Sequence, residues 1–345
     1  MNHTNSNRLS DISKYRGAIF GLSILGIILF HFFNDVLDWR RQDAVYRVAE
    51  LYYNLFGSIG VELFVFLSGV GLYFSLSKNP DIFSFYRRRF RRVLIPYLIW
   101  GVFYWFVRDI LVTREGFVRF ILDLSTLSFW LEGKRSVWFI AFIIAVYAVF
   151  PLLFRILNCS VKGKQHAGAA CLMLCVAWVA FCCLLSAAAP EFYQNTEVAL
   201  SRVPIFVIGT WYGKRIRNGE DFSLADHILA VAGLIPITVH LMSQYGIFGI
   251  DADVHNRFLA CLFTIPLVFL LCGMMNLIHS AKFEKALSFV GMYSLELYIT
   301  HVGIRELLIT LDIHTHRFII LAAYLMLSVV FSYAISLINI KLQSS

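Results

Sequence analysis

The chain has 345 residues, 59% of them hydrophobic and only 15% charged, with a net charge of +8. A soluble domain carries about 25% charged residues, so an ordinary soluble fold is excluded, and no segment is left over for a domain that reads nucleic acid. The seven cysteines are odd in number and contain no C-x-x-C pair, which argues against a disulfide framework or a zinc site and for small buried thiols.

A membrane span needs roughly 20 mostly apolar residues. Ten runs qualify, at 17–36, 55–77, 93–111, 136–157, 167–189, 198–213, 227–243, 257–279, 286–308 and 318–340, the sixth and seventh being the shortest. The first follows Arg8, Lys14 and Arg16. Its "GAIFGLSILGIILFHFFND" lacks a small-x-small cleavage site, so it reads as a retained span rather than a signal peptide. His31 lies near its outer end, and Asp35 follows four residues later on the same helical face. A carboxylate there can orient the imidazole and raise its basicity. The second run carries Glu62 roughly 10 Å from its outer end, as either a hydrogen-bonded bundle carboxylate or a participant in chemistry. Gly57, Gly60, Gly69 and Gly71 around it permit close helix approach.

Before the third run, "SFYRRRFRRVLIPYLIWGVFYW" sets Arg87, Arg88, Arg89, Arg91 and Arg92 against an apolar helix. These arginines either fix the orientation of a membrane helix or hold a polyanionic ligand. The longest loops, 35–54 and 112–135, mix charges with aromatics and are expected to face outward. Trp39, Trp130, Trp138 and Trp211 near span ends fit an interfacial belt. In the ninth run, "SFVGMYSLELYITHVGIREL", Ser294, Tyr298, His301 and Arg305 fall on one helical stripe. A polar stripe in a membrane faces the bundle interior or a cavity. Glu296 lies off it, as a structural partner. His314 and His316 stand two residues apart without nearby acids or cysteines, so no metal is expected there.

With the N-terminus in the cytoplasm, the inward segments hold 18 Lys/Arg against 6 Asp/Glu. That excess is the expected orientation signal. It predicts a multi-pass protein of the cell membrane with both termini cytoplasmic, the arginine cluster at the inner surface, and His31, Glu62 and His301 all in the outer half. The expected fold is an all-α polytopic helical bundle of about ten spans, one membrane domain over 1–345 with no separate soluble domain.

In this order, Arg16 before Phe30-His31, G-V-E-L-F-V-F-L-S-G at 60–69, the arginine motif from Phe85 to Tyr97, V-W-F-I from Val137 to Pro151, and S-L-E-L-Y-I-T-H at 294–301 resemble the family-3 integral membrane acyltransferases. The resemblance covers 14–310. It implies transfer of an acyl group, usually acetyl, from a coenzyme A thioester to hydroxyls on cell-surface or lipid-linked carbohydrate, with acetyl-CoA as donor substrate and no tightly bound cofactor. His31 would be the catalytic histidine, supported by Asp35, with Glu62 and His301 in the same chemistry. Arg16 would be the first-helix arginine, and Arg88, Arg89 and Arg92 the third-helix arginines that meet the donor. Tyr298, Trp138 and Arg305 would contact the acceptor. Arg16 stands 15 residues before His31, some 22 Å along one helix, so the two cannot touch. The donor's phosphates suit guanidinium forks, and its pantetheine arm is long enough to reach from the inner surface toward His31. A rival reading is a transporter or flippase for lipid-linked glycans with the same polar residues lining a passage.

Overall fold

The computed structural model describes residues 8–38, 43–56, 59–161, 164–244, 258, 261–311 and 317–344. In chain order its helices are α1 (Ser10–Lys14), α2 (Arg16–Asp38), α3 (Ala44–Phe56), α4 (Ile59–Lys78) and α5 (Ile82–Trp105), which continues as a π-helical stretch, Phe106–Val112. Then follow α6 (Phe117–Leu124), α7 (Leu127–Glu132), α8 (Trp138–Asn158), α9 (Ala167–Ala188) and α10 (Pro190–Leu200). The last six are α11 (Val203–Arg217), α12 (Leu224–Gln244), α13 (Thr264–Ile278), α14 (Ala281–Met292), α15 (Ser294–Thr310) and α16 (Arg317–Ser344). Ser160–Val161 and Lys164–Gln165 make a two-residue antiparallel pair.

Among the described residues, six helices are long and apolar enough to cross a membrane: 16–38, 60–78, 82–112, 135–158, 167–188 and 322–339. Leu224–Ile235 and Thr264–Ile278 are shorter apolar helices. The all-helical membrane architecture is therefore as expected, and of the expected ten spans the described residues show these six and the two shorter helices. The sixth expected run is cut by Ser201 and Arg202 into α10 and α11. The ninth breaks at Tyr293, between α14 and α15.

The chain divides into two compact units, here called the first (1–79, 152–181, 201–292) and the second (80–151, 182–200, 293–345). Glycine sets the closest crossings of the first. Gly17 and Gly21 of α2 meet Leu287 and Gly291 of α14 backbone to backbone, where added Cβ atoms would overlap carbonyl groups. Gly69 of α4 and Gly209 of α11 meet in the same way. Such contact replaces side-chain interdigitation with main-chain van der Waals packing. Polar ties close the ends of this unit. Tyr15 Oη donates to Asn276 Oδ1 (2.6 Å) and Asn276 Nδ2 to Asp11 Oδ2 (2.9 Å), while Arg215 and Tyr212 both hold the buried Asp226.

In the second unit, Asp81 caps α5 by accepting from Phe83 N (3.3 Å) and Ser84 N (3.0 Å). The hydrogen bonds from Ser84 hold its carboxyl below the usual carboxylate range. α5 and α8 run antiparallel: Phe85 stacks on Phe150 with centroids 5.4 Å apart, and Tyr86 Oη donates to the Ala148 carbonyl at 2.7 Å. α15 packs on α5 through Gly303 against Trp100, and on α16 through Thr300 Oγ1 and Ser332 Oγ, 2.9 Å apart.

Candidate functional site

The first unit holds the expected catalytic histidine. α2 is one continuous helix, and His31 and Asp35 both lie half-buried near its end, four residues apart on one face. The rings of Phe30 and Tyr53 stack at 5.5 Å beside them, and Tyr52 Oη donates to the Gly26 carbonyl (2.9 Å), so α3 lies along this end of α2. Arg16 opens the same helix. Its guanidinium fills the space that a side chain at Gly71 of α4 would take, with Nη1 2.6 Å from that Cβ position, and lies 5.8 Å from the Phe20 centroid.

α2 and α4 are antiparallel, with Gly60 seated between Ser23 and Ile27 and Gly71 facing Arg16. This register puts Glu62 roughly 10 Å deeper along α2 than His31 at 1.5 Å per residue. Glu62 instead meets Arg202: Oε1 and Nη2 are 2.6 Å apart, with side chains only 3% and 8% exposed. Arg202 was not singled out in the sequence. An arginine amid "EVALSRVPIFVIGTW" is itself the signal, because an unpaired guanidinium would not survive burial there.

In the second unit, the arginines lie near the start of α5. Phe85 and Tyr86 face Phe150 and Ala148, and the Phe90 ring meets that of Tyr147 at 6.3 Å. The span containing those partners runs from 135 to 158. Arg87 to Arg92 therefore run beside the Tyr147–Phe150 stretch of α8. Arg87, Arg88 and Arg92 are exposed; Arg89 and Arg91 are half-buried. Arg92 Nη1 lies 3.2 Å from Oε1 of the buried Glu296 in the first turn of α15, which gives that carboxylate its partner.

The same contact locates His301. Because the helix begins at Ser294 rather than 286, His301 stands five residues, about 8 Å, beyond Glu296 and its arginine. His301 is fully buried, and its Nδ1 lies 2.8 Å from the Leu297 carbonyl. A carbonyl only accepts, so Nδ1 carries the proton and Nε2 holds the lone pair in the neutral ring. Tyr298, also buried, meets His301 edge-on at 5.7 Å and Phe139 at 4.9 Å. Trp138, the first residue of α8, is 9% exposed and packs toward Phe142, so its ring faces the interior of the unit. Arg305, at the far end of the stripe, lies 3.9 Å from Glu306.

A second ionic group escaped the sequence reading. Asp109 and Asp123, both fully buried, are held by Arg108 (2.8 Å to Asp109), Arg119 (3.1 Å to Asp123) and Lys134. The acid-base pair inside "FVRDILV" was its signal. Among the described residues no group of three His, Cys, Asp or Glu could hold a metal ion. His314, His316 and Trp39 lie outside the described residues.

A family model described as an acyltransferase domain matches residues 21–337. No curated protein and no solved structure matches the chain. The chain belongs to the family-3 acyltransferases.

Proposed function

We propose that this membrane acyltransferase moves an acyl group, most simply acetyl, from cytoplasmic acyl-CoA to a hydroxyl of a cell-surface or lipid-linked carbohydrate. The observation that carries the donor assignment is the crowding of Arg88, Arg89 and Arg92 into one short stretch of α5, packed beside Tyr147 and Phe150 of α8. Five clustered arginines exceed what orientation alone requires, and the carboxylate of Glu296 faces Arg92. A pyrophosphate and a ribose phosphate supply the anions that bidentate guanidinium groups bind best. Arg88, Arg89 and Arg92 are the donor contacts of this reading, and the arginine-bearing side of the second unit is the cytoplasmic side.

His31 acts as general base. It takes the proton of the acceptor hydroxyl as that oxygen attacks the thioester carbonyl, aided by Asp35 on the same face. The tetrahedral intermediate collapses with cleavage of the carbon–sulfur bond. Coenzyme A leaves as a thiolate and takes up a proton, and the acceptor keeps the ester. Tyr298 Oη is the candidate donor to the developing oxyanion. His301 donates its Nδ1 proton to the Leu297 carbonyl, so only Nε2 is left to meet a substrate. Trp138 and Arg305 complete the acceptor contacts of this reading. Glu62 is assigned to holding Arg202 and not to proton transfer.

Purified protein should bind coenzyme A in a calorimetric titration and release free thiol from acetyl-CoA when given a surface-glycan extract as acceptor. Absence of both binding and thiol release from well-folded protein would sink the reading.

A further inference from the structure

The segment after the third span leaves the end of α5 and returns along its side. Thr113 N donates to the Arg108 carbonyl and Glu115 N to that of Asp109, both at 2.8 Å, so the chain reverses at once. α6 then descends beside α5. Tyr97 Oη donates to the Asp123 carbonyl at 3.2 Å, and Leu124 lies against Gly101. Gly101 precedes Val112, where the span 82–112 ends, by eleven residues, about 16 Å of helix. The far end of the segment stays low as well: Lys134 pairs with Asp123, and its Nζ is 4.6 Å from the Trp105 ring centroid. Helices α6 and α7 therefore run alongside the last part of the helix 82–112.

Their side chains are sorted in a way that water would not require. Phe117, Val118 and Ile121 share one face of α6 and are 68%, 75% and 45% exposed; Leu131 of α7 is 66% exposed. That face continues the exposed side of the span, where Val102, Phe103, Phe106 and Leu111 stand open, and Phe106, Phe120 and Phe117 form a run of ring contacts across the junction. The charges Asp109 and Asp123 are turned the other way and fully buried against Arg108, Arg119 and Lys134.

The turns are also internally satisfied. Ser125 N donates to Ile121 O (2.9 Å), Thr126 N to Asp123 O (3.1 Å), Gly133 N to Phe129 O (2.9 Å) and Lys134 N to Ser128 O (3.2 Å). Left-handed backbone at Thr126 and Gly133 makes these closures possible. Non-helical backbone is tolerated at membrane depth only when its polar groups are met by protein or lie in a water-filled cavity.

We propose that residues 113–134 form a re-entrant helical hairpin in the leaflet opposite the arginine cluster, with Phe117, Val118, Ile121 and Leu131 against lipid acyl chains. The occupant of this face is lipid because it is continuous with the exposed flank of a membrane span, because Asp109 and Asp123 are buried away from it, and because Glu132, beside Leu131, is paired with Arg119. The proposal does not depend on which acyl group or acceptor the enzyme uses.

The test places an environment-sensitive fluorophore on single cysteines in a background without native cysteines. The variants Val118→Cys, Ile121→Cys and, at the reversal, Glu115→Cys are reconstituted in phosphatidylcholine vesicles. At Val118 and Ile121, quenching by a chain-labelled doxyl lipid should exceed quenching by aqueous iodide at least threefold, and at Glu115 the order should reverse. Stronger iodide quenching at both α6 positions would show a hairpin standing in water and overturn the proposal. Protection from both quenchers would overturn it in favour of a second copy of the chain covering the face. Phe117→Cys reports on the same face should either α6 variant fail to reconstitute.

Discussion

Glu62 and Arg202 form an ion pair, Oε1 2.6 Å from Nη2, that ties the first turn of α4 to the start of α11 with both side chains almost fully buried. Removing one member of such a pair leaves an uncompensated charge and costs about 3–5 kcal/mol, whereas replacing both with apolar groups of similar size is often neutral or better. Glu62→Gln should therefore lower the thermal unfolding midpoint in detergent sharply, and Arg202→Met should do the same. The double variant Glu62→Leu/Arg202→Met should recover most of the loss. Additive losses in the double variant would mean that the two residues act separately.

The arginine cluster makes the second prediction. Arg88 is exposed and Arg89 half-buried, with its Nε buried and making no hydrogen bond. If both meet donor phosphates, Arg88→Gln/Arg89→Gln should weaken coenzyme A binding at least tenfold, about 1.4 kcal/mol, by calorimetry on correctly inserted protein. Unchanged affinity would leave these two arginines without a donor role.

Much of this arrangement was legible in the sequence, and the exceptions have physical causes. The bounds of α2 follow from the apolar run between Arg16 and Asp38, and those of α9 from an unbroken run. Polar residues inside apolar runs identified His31, Glu62 and His301. The break at Tyr293 was not legible. No proline or charge marks it; α14 is instead held by Gly291 against Gly17 of α2, a contact more than 270 residues away in sequence. Arg202 was hidden for a related reason, since its partner lies 140 residues earlier. Local pattern marks a costly group but not the group that answers it.

The glycine crossings separate two kinds of sensitivity. A Cβ at Gly21 would run into the Leu287 carbonyl, which is backbone and cannot step aside. Gly21→Ala should destabilise the protein by about 1–3 kcal/mol, read as a lower unfolding midpoint. A Cβ at Gly71 meets only the far end of Arg16. Gly71→Ala should leave the midpoint nearly unchanged while shifting Arg16, so a loss of transfer without a loss of stability is expected. Equal midpoints for the two variants would contradict the backbone-contact argument.

His31 carries the sharpest prediction about chemistry. An imidazole can take a proton from a hydroxyl, and an asparagine cannot. His31→Asn should lower acyl transfer on the order of a hundredfold or more while leaving coenzyme A binding intact, because the arginines assigned to the donor are on a different helix in the other unit. Asp35→Asn should cost less, since it removes only orientation and electrostatic support from a base that remains. Both side chains are half-buried, and each change substitutes an uncharged group of similar size, so expression and the unfolding midpoint should hold. Near-normal transfer by His31→Asn would move the search for the base to His301, whose Nε2 is unprotonated in the neutral ring. Loss of coenzyme A binding along with transfer would show that His31 holds the donor, and the division between arginine cluster and catalytic helix would fail.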